Sequence, residues 1–127
     1  MVDGLFSQPN YLAAKKMLDA AVLRHEAIAA NLANIETPNY KRMDVGSSFM
    51  GELQQAMTSK DSTQMATLRP ELSVDSTITT AKLDGNNVQL EHELTELNKN
   101  FLAHSLETHL ITGNLLRLRL AITGRPS

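Results

Sequence analysis

The chain has 127 residues, enough for one domain at most. A formal net charge of -2 leaves no basic field for a nucleic-acid backbone, and the absence of cysteine excludes disulfides, thiolate metal sites and a cysteine nucleophile. Apolar residues make up 42% but aromatics only 4%, and the leucines crowd between Leu90 and Leu120, so the apolar material is not distributed as in an ordinary compact core.

The stretch Met1-Val-Asp-Gly-Leu-Phe lacks the basic and apolar regions of a cleaved secretory signal. This leaves a cytoplasmic protein, or export by a machine that needs no cleaved signal. No run of about 18 apolar residues marks a membrane-spanning helix.

A first helix is predicted from about residue 9, where Pro9 suits the first turn, to the stop at Pro38. Tyr11, Ala14, Leu18, Ala21, His25, Ile28, Leu32 and Ile35 recur at alternating steps of three and four, a heptad-like seam with one polar member. Residues 41–86 are rich in Ser, Thr, Asp and Lys and read as a mostly irregular insert. Within it, Ser48 is placed to cap a short helix through Phe49, Leu53 and Met57. Residues 58–67 read as loop, and Leu72, Val74 and Ile78 suggest a weak strand.

Asp84-Gly85-Asn86 reads as a turn, with Asn86 or Asn87 capping the next helix and Gln89 completing a capping box. That helix carries the stronger seam: Leu90, Leu94, Leu97, Phe101, His104, Thr108, Ile111, Leu115, Leu118 and Ile122. Leu102, Leu106, Leu110, Leu116 and Leu120 form a second stripe. Gly113 inside the helix either permits a close neighbour or is simply tolerated. Gly124 ends the helix and Pro126 forbids its resumption.

The fold class that follows is mainly α. Long N- and C-terminal helices pack as an antiparallel coiled-coil-like hairpin, residues 1–40 and 87–127 forming one domain around the 41–86 insert. A plain three- or four-helix bundle is the alternative. The C-terminal helix outlasts its partner, leaving Leu115, Leu116, Leu118, Leu120 and Ile122 as an exposed stripe of the kind that marks an interaction surface. The assembly seam is therefore expected at Leu18, Ile28, Leu32, Leu94, Leu97, Phe101, Ile111, Leu115, Leu118 and Ile122.

Catalytic chemistry finds no foothold. His92-Glu93-Leu94-Thr95-Glu96 has Glu96 where a zinc-protease helix needs its second histidine, and His104 and His109 are poorly placed to share a helix face. His25 and His104 are expected on the seams, as buried neutral or partly wet imidazoles. No catalytic residue, cofactor, metal or small-molecule substrate is indicated.

One segment exceeds what a helix stop requires: Ala30-Asn31-Leu32-Ala33-Asn34-Ile35-Glu36-Thr37-Pro38-Asn39-Tyr40-Lys41-Arg42. Asn31 and Asn34 are expected to bond local backbone as the helix ends, Asn39 to accept a positive φ, and Tyr40 to anchor the turn against a helix.

This segment resembles the A-N-[ILV]-A-N-x-x-T-P-G-Y signature of bacterial flagellar rod, hook and hook-associated proteins. Asn31, Ala33, Asn34, Thr37, Pro38 and Tyr40 match it, with Asn39 at the glycine. A second stretch, Asp84, Gly85, Asn86, Val88, Leu90, Glu93 and Leu94, resembles D-G-N-x-V-x-[LM]-x-x-E-[ML] of the proximal rod members. The resemblance implies a structural subunit of the proximal flagellar rod in the periplasm, exported without a cleaved signal by the flagellar type III apparatus. It also implies terminal segments that order on assembly, with an insert ordering outside the helical layer. The partners it implies are copies of the chain, rod proteins of the FlgC type, the adapter FliE and the MS ring.

Overall fold

The computed structural model describes residues 9–124, apart from the side chains of Pro9, Asn114 and Leu118. In order, the elements are α1 (Pro9–Ala33), β1 (Met43–Val45), α2 (Ser47–Thr58), α3 (Ser62–Thr67), β2 (Leu72–Val74) and α4 (Leu90–Thr123). The chain is mostly helical. At 1.5 Å per residue α1 is about 37 Å long and α4 about 51 Å. As expected, Gly124 closes α4 in the left-handed conformation, its N–H bonded to the Leu120 carbonyl at 2.7 Å. Pro126 lies outside the described residues.

The insert holds more structure than its composition suggests. β1 and β2 pair antiparallel in the register Met43–Val74, Asp44–Ser73 and Val45–Leu72. Ile78 lies beyond this strand. The 58–67 loop is replaced in part by α3, whose N-terminus is capped by Asp61 accepting from the Gln64 N–H at 3.0 Å. α2 starts at Ser47 after Gly46, which makes no side-chain cap, so Ser48 is already inside the helix.

The hydrophobic core lies between α1 and the insert. Ala13 and Ala20 of α1 meet Val45, Phe49, Leu53, Ala56, Met65 and Leu68, with Leu12, Met17, Leu23 and Leu72 at the margin. The insert is thus seated on α1 of its own chain. Small α1 side chains let backbones approach closely on two sides: Ala13, Ala20 and Ala27 are buried, and so are Ala14 and Ala21.

α1 also makes the most extensive pairing in the fold, with α4. The two run antiparallel: Asn31 bonds Glu93, and ten residues earlier the Ala21 carbonyl accepts from the Asn100 side chain at 2.8 Å. The seam, however, is not the predicted one. Among the described side chains of α4, the buried ones are Glu93, Asn100 and Glu107, a polar series at seven-residue spacing. Phe101 is 70% exposed, Leu94 and Leu115 45% and Ile122 66%, while Leu97 and Ile111 are half-buried. On α1, Ala14, Ala21 and Ile28 are buried as expected, Leu18 and Leu32 are half-buried, and His25 is exposed, as is His104 on α4. Of the two states expected, neither imidazole is the buried one; both stand exposed on the groove between the helices. The predicted stripes lie along the flank of the helix pair instead of between the helices. Leu118, also a predicted seam residue, has its side chain outside those described.

Candidate functional site

The two sequence motifs, more than forty residues apart, meet at the end of α1. After Ala33 the chain turns through Thr37 and Asn39, the latter at φ 63°, as an asparagine in the glycine position can be. Asn34 closes this turn locally: its amide donates to the Ala30 carbonyl at 2.8 Å and its side-chain oxygen accepts from the Thr37 hydroxyl at 3.0 Å. Ala33 and Pro38 are exposed and touch none of the tertiary bonds below.

The second motif grips that turn. The Asn39 N–H donates to the Asp84 carbonyl at 2.9 Å. The fully buried Asn86 amide donates to the Asn34 carbonyl at 2.8 Å and the Thr37 carbonyl at 2.7 Å, while its oxygen accepts from the Val88 N–H at 2.8 Å. Asn87 adds two bonds: its N–H reaches the Tyr40 carbonyl at 3.2 Å, and its side-chain oxygen accepts from the Arg42 N–H at 2.6 Å. Neither asparagine caps α4, whose N-cap position is Gln89. Turn carbonyls left without helix partners are the stronger demand, and a buried asparagine satisfies two at once.

Gly85 has φ 83°, and a Cβ there would stand 2.3 Å from the Asn39 side-chain oxygen. The Lys41 ammonium bonds the Gly85 carbonyl, and the Lys82 ammonium bonds the Ile35 carbonyl at 2.8 Å.

Asn31 does not bond its local backbone. Its buried amide donates to the Met43 carbonyl at 2.9 Å and to Glu93 Oε2 at 3.2 Å. Its oxygen accepts from the Met43 N–H at 2.9 Å and the Tyr40 hydroxyl at 3.1 Å. All four hydrogen-bonding positions of the amide are filled, so one side chain ties α1, β1, the turn and α4 together. Burial, then the charge of Glu93, pushes the Tyr40 hydroxyl above its usual value.

Beneath this lies an ion cluster that the motif residues alone did not reveal. Arg42 is 1% exposed and bonds Glu93, Asp44 at 3.1 Å and Asp75 at 2.8 Å; Arg24 also reaches Asp44 at 2.9 Å. Burial by itself would lower the Arg42 pKa, but the hydrogen bonds it donates to Glu93 and Asp44 raise it instead. In Asp44, burial is outweighed by Arg24, the Val45 N–H and Arg42, and the carboxyl sits below its usual value. Asp75 is likewise lowered, burial yielding to Thr77 and then Arg42. The available signal for Arg42 was its place directly after the motif, with carboxylates spaced for strands and a helix start.

These polar contacts explain how α4 is set. Glu93 is pulled inward by Asn31 and Arg42, and seven-residue spacing then brings Asn100 and Glu107 to the same face. The leucines turn sideways. Glu107 is buried, and burial raises its pKa despite the opposing charge of Arg24. Among the described residues, Glu107 Oε2 and Asn100 Oδ1 are buried without a hydrogen-bond partner. No described helix is long and apolar enough to cross a membrane.

No family model matches the chain. Curated relatives do. It is 31% identical to the flagellar basal body rod protein FlgB of Aquifex aeolicus, over 87% of this chain and 90% of that protein. It is 30% identical to the protein of the same name from Borrelia hermsii, over 76% of this chain and 83% of the relative, and to that of Bacillus subtilis, over 84% and 88%. With this identity sustained across most of both chains, the chain belongs to the flagellar basal body rod protein FlgB family.

Proposed function

We propose that the chain is a structural subunit of the proximal rod of the flagellar basal body, taking part in torque transmission by assembly and performing no catalysis. Its family supports this reading, and the exposed leucines of α4 carry it to a mechanism. Leu102, Leu106, Leu110, Leu115, Leu116, Leu120 and Ile122 are all exposed on one helix of a single chain. Apolar surface of this extent is stabilised by covering it, at roughly 25 cal/mol per Å² removed from water.

On this reading the terminal segments, 1–40 and 87–127, complete a coiled-coil-like helical layer with neighbouring subunits. The 41–86 insert lies outside that layer, seated on α1. The partners are copies of the chain and rod proteins of the FlgC type, with the adapter FliE and the MS ring at the membrane end. The chain passes unfolded through the type III export apparatus without a cleaved signal and takes its place in the periplasmic rod. The motif residues Asn31, Asn34, Thr37, Tyr40, Asp84, Gly85, Asn86, Val88 and Glu93 serve as the clasp that sets α4 against α1.

The test is substitution on the exposed stripe. Leu115→Asp leaves the α1–insert core intact, so expression and export persist while rod assembly and motility are lost. Normal motility with the variant incorporated into rods would overturn this role for the stripe.

A further inference from the structure

The flank of the helix pair carries a groove of about 590 Å³ lined by Val22, His25 and Glu26 of α1 and by Leu97, Phe101 and His104 of α4. Its surface is mostly apolar, with Asn98 and the buried Asn100 also lining it, and it carries the exposed carboxylate of Glu26. The core between α1 and the insert uses a different side of α1, that of Ala13 and Ala20.

The same chain carries a segment of matching chemistry. From the contacts Asn31–Glu93 and Ala21–Asn100, α1 runs out near residue 111 of α4. The last three turns of α4 extend about 18 Å past it. Leu116 and Leu120, one turn apart on one face, are exposed there, and Arg117 and Arg119 flank them on either side. This segment cannot fill the groove of its own chain, because it continues the same straight helix that forms one wall.

We infer that the groove is occupied by the Leu116–Leu120 face of α4 from a second copy of this chain, with Arg117 or Arg119 against Glu26. The inference rests on the rod reading and names the partner segment. Two leucines at i, i+4 spacing are the standard means by which a helix lays its apolar face in such a groove. The basic flanks match the acidic rim, which orients the incoming helix. Groove and filler are different surfaces, so the contact is heterologous. Each added copy presents a fresh groove or a fresh helix end, and the series stays open, as an axial structure requires.

The chain contains no cysteine, which makes disulfide trapping clean. Cells co-expressing Val22→Cys and Leu116→Cys full-length chains are oxidised and their basal bodies purified. The expected product is a dimer joining one chain of each type, and Phe101→Cys with Leu120→Cys gives the same result as an independent pair. Glu26→Arg lowers the yield about tenfold, the scale of a lost exposed ion pair plus a like-charge contact, and Arg117→Glu with Arg119→Glu restores it. A dimer of two Val22→Cys chains, a link from Val22→Cys to a different rod protein, or no link in basal bodies that contain both chains would overturn the inference while leaving the rod reading intact. Absence of the chain from purified basal bodies would overturn both.

Discussion

The Asn31 amide donates to the Glu93 carboxylate at 3.2 Å across 62 residues of sequence, and both side chains are fully buried. This contact joins the two motif segments that define the chain's family resemblance. It also turns Glu93 inward, and so decides which face of α4 meets α1 and which is left for neighbours.

Asn31→Ala removes four hydrogen bonds and leaves the Met43 N–H and the Tyr40 hydroxyl without this acceptor. A loss of about 2–4 kcal/mol is expected, at the upper end for a single buried polar truncation. Urea unfolding of the purified chain measures it. Asn31→Asp adds a carboxylate beside Glu93 and is expected to be at least as damaging. A change within the error of the midpoint would contradict the clasp.

Arg42→Met leaves Glu93 buried without its cation, and breaking such a pair costs about 3–5 kcal/mol. Arg42→Met combined with Glu93→Leu is expected to cost less than the sum of the two single changes, with a coupling of about 1–3 kcal/mol. Thermal unfolding of the four variants of this cycle gives the number. Strict additivity would show that the two side chains do not act together.

Acid and neutral pH pull in opposite directions. Asp44 and Asp75 are held below the ordinary value of 3.8, so the stability they contribute is present above about pH 4 and is lost as pH falls below it. Glu107 is raised above 4.5 by burial, so its contribution is full below that value and is lost as pH rises through its folded pKa. Glu107→Gln is therefore expected to raise Tm at pH 7 and to change it less at pH 4. A Tm at pH 7 equal to or below that of the unmodified chain would contradict this account of the helix interface.

Gly85→Ala places a Cβ against Asn39 at a positive φ, and a destabilisation of about 1–3 kcal/mol is expected from strain of this kind. Chemical denaturation is the check. Asn39→Gly, which keeps the left-handed conformation, is expected to change stability by less than Gly85→Ala.

The start of α1 and the end of α4 were legible in the sequence because local chemistry sets them: a proline at the one, a left-handed Gly124 at the other. The turn at Asn39 and Gly85 was legible for the same reason. The end of α1 at Ala33 and the start of α4 at Leu90 were not, because Asn86 and Asn87 are drawn to the turn carbonyls and backbone beyond α1 instead of capping α4. The face that α4 presents was not. Heptad spacing identifies an apolar stripe but not its partner, and here Glu93, Asn100 and Glu107 run at the same spacing one face away. Here the apolar stripe faces outward, while Glu93 and the Asn100 amide find their partners within the chain. α3 was masked by its polar sequence, although Asp61 three residues before Gln64 is a cap signal. Arg42 was hidden because its carboxylates come from three separate segments.

Electron cryo-microscopy of purified basal bodies shows where this chain lies and what covers α4. Density for this chain is expected in the rod at its inner-membrane end, with Leu115, Leu116 and Leu120 buried against a neighbouring subunit. Density for the chain in which these leucines face solvent, or basal bodies without the chain, would contradict that expectation.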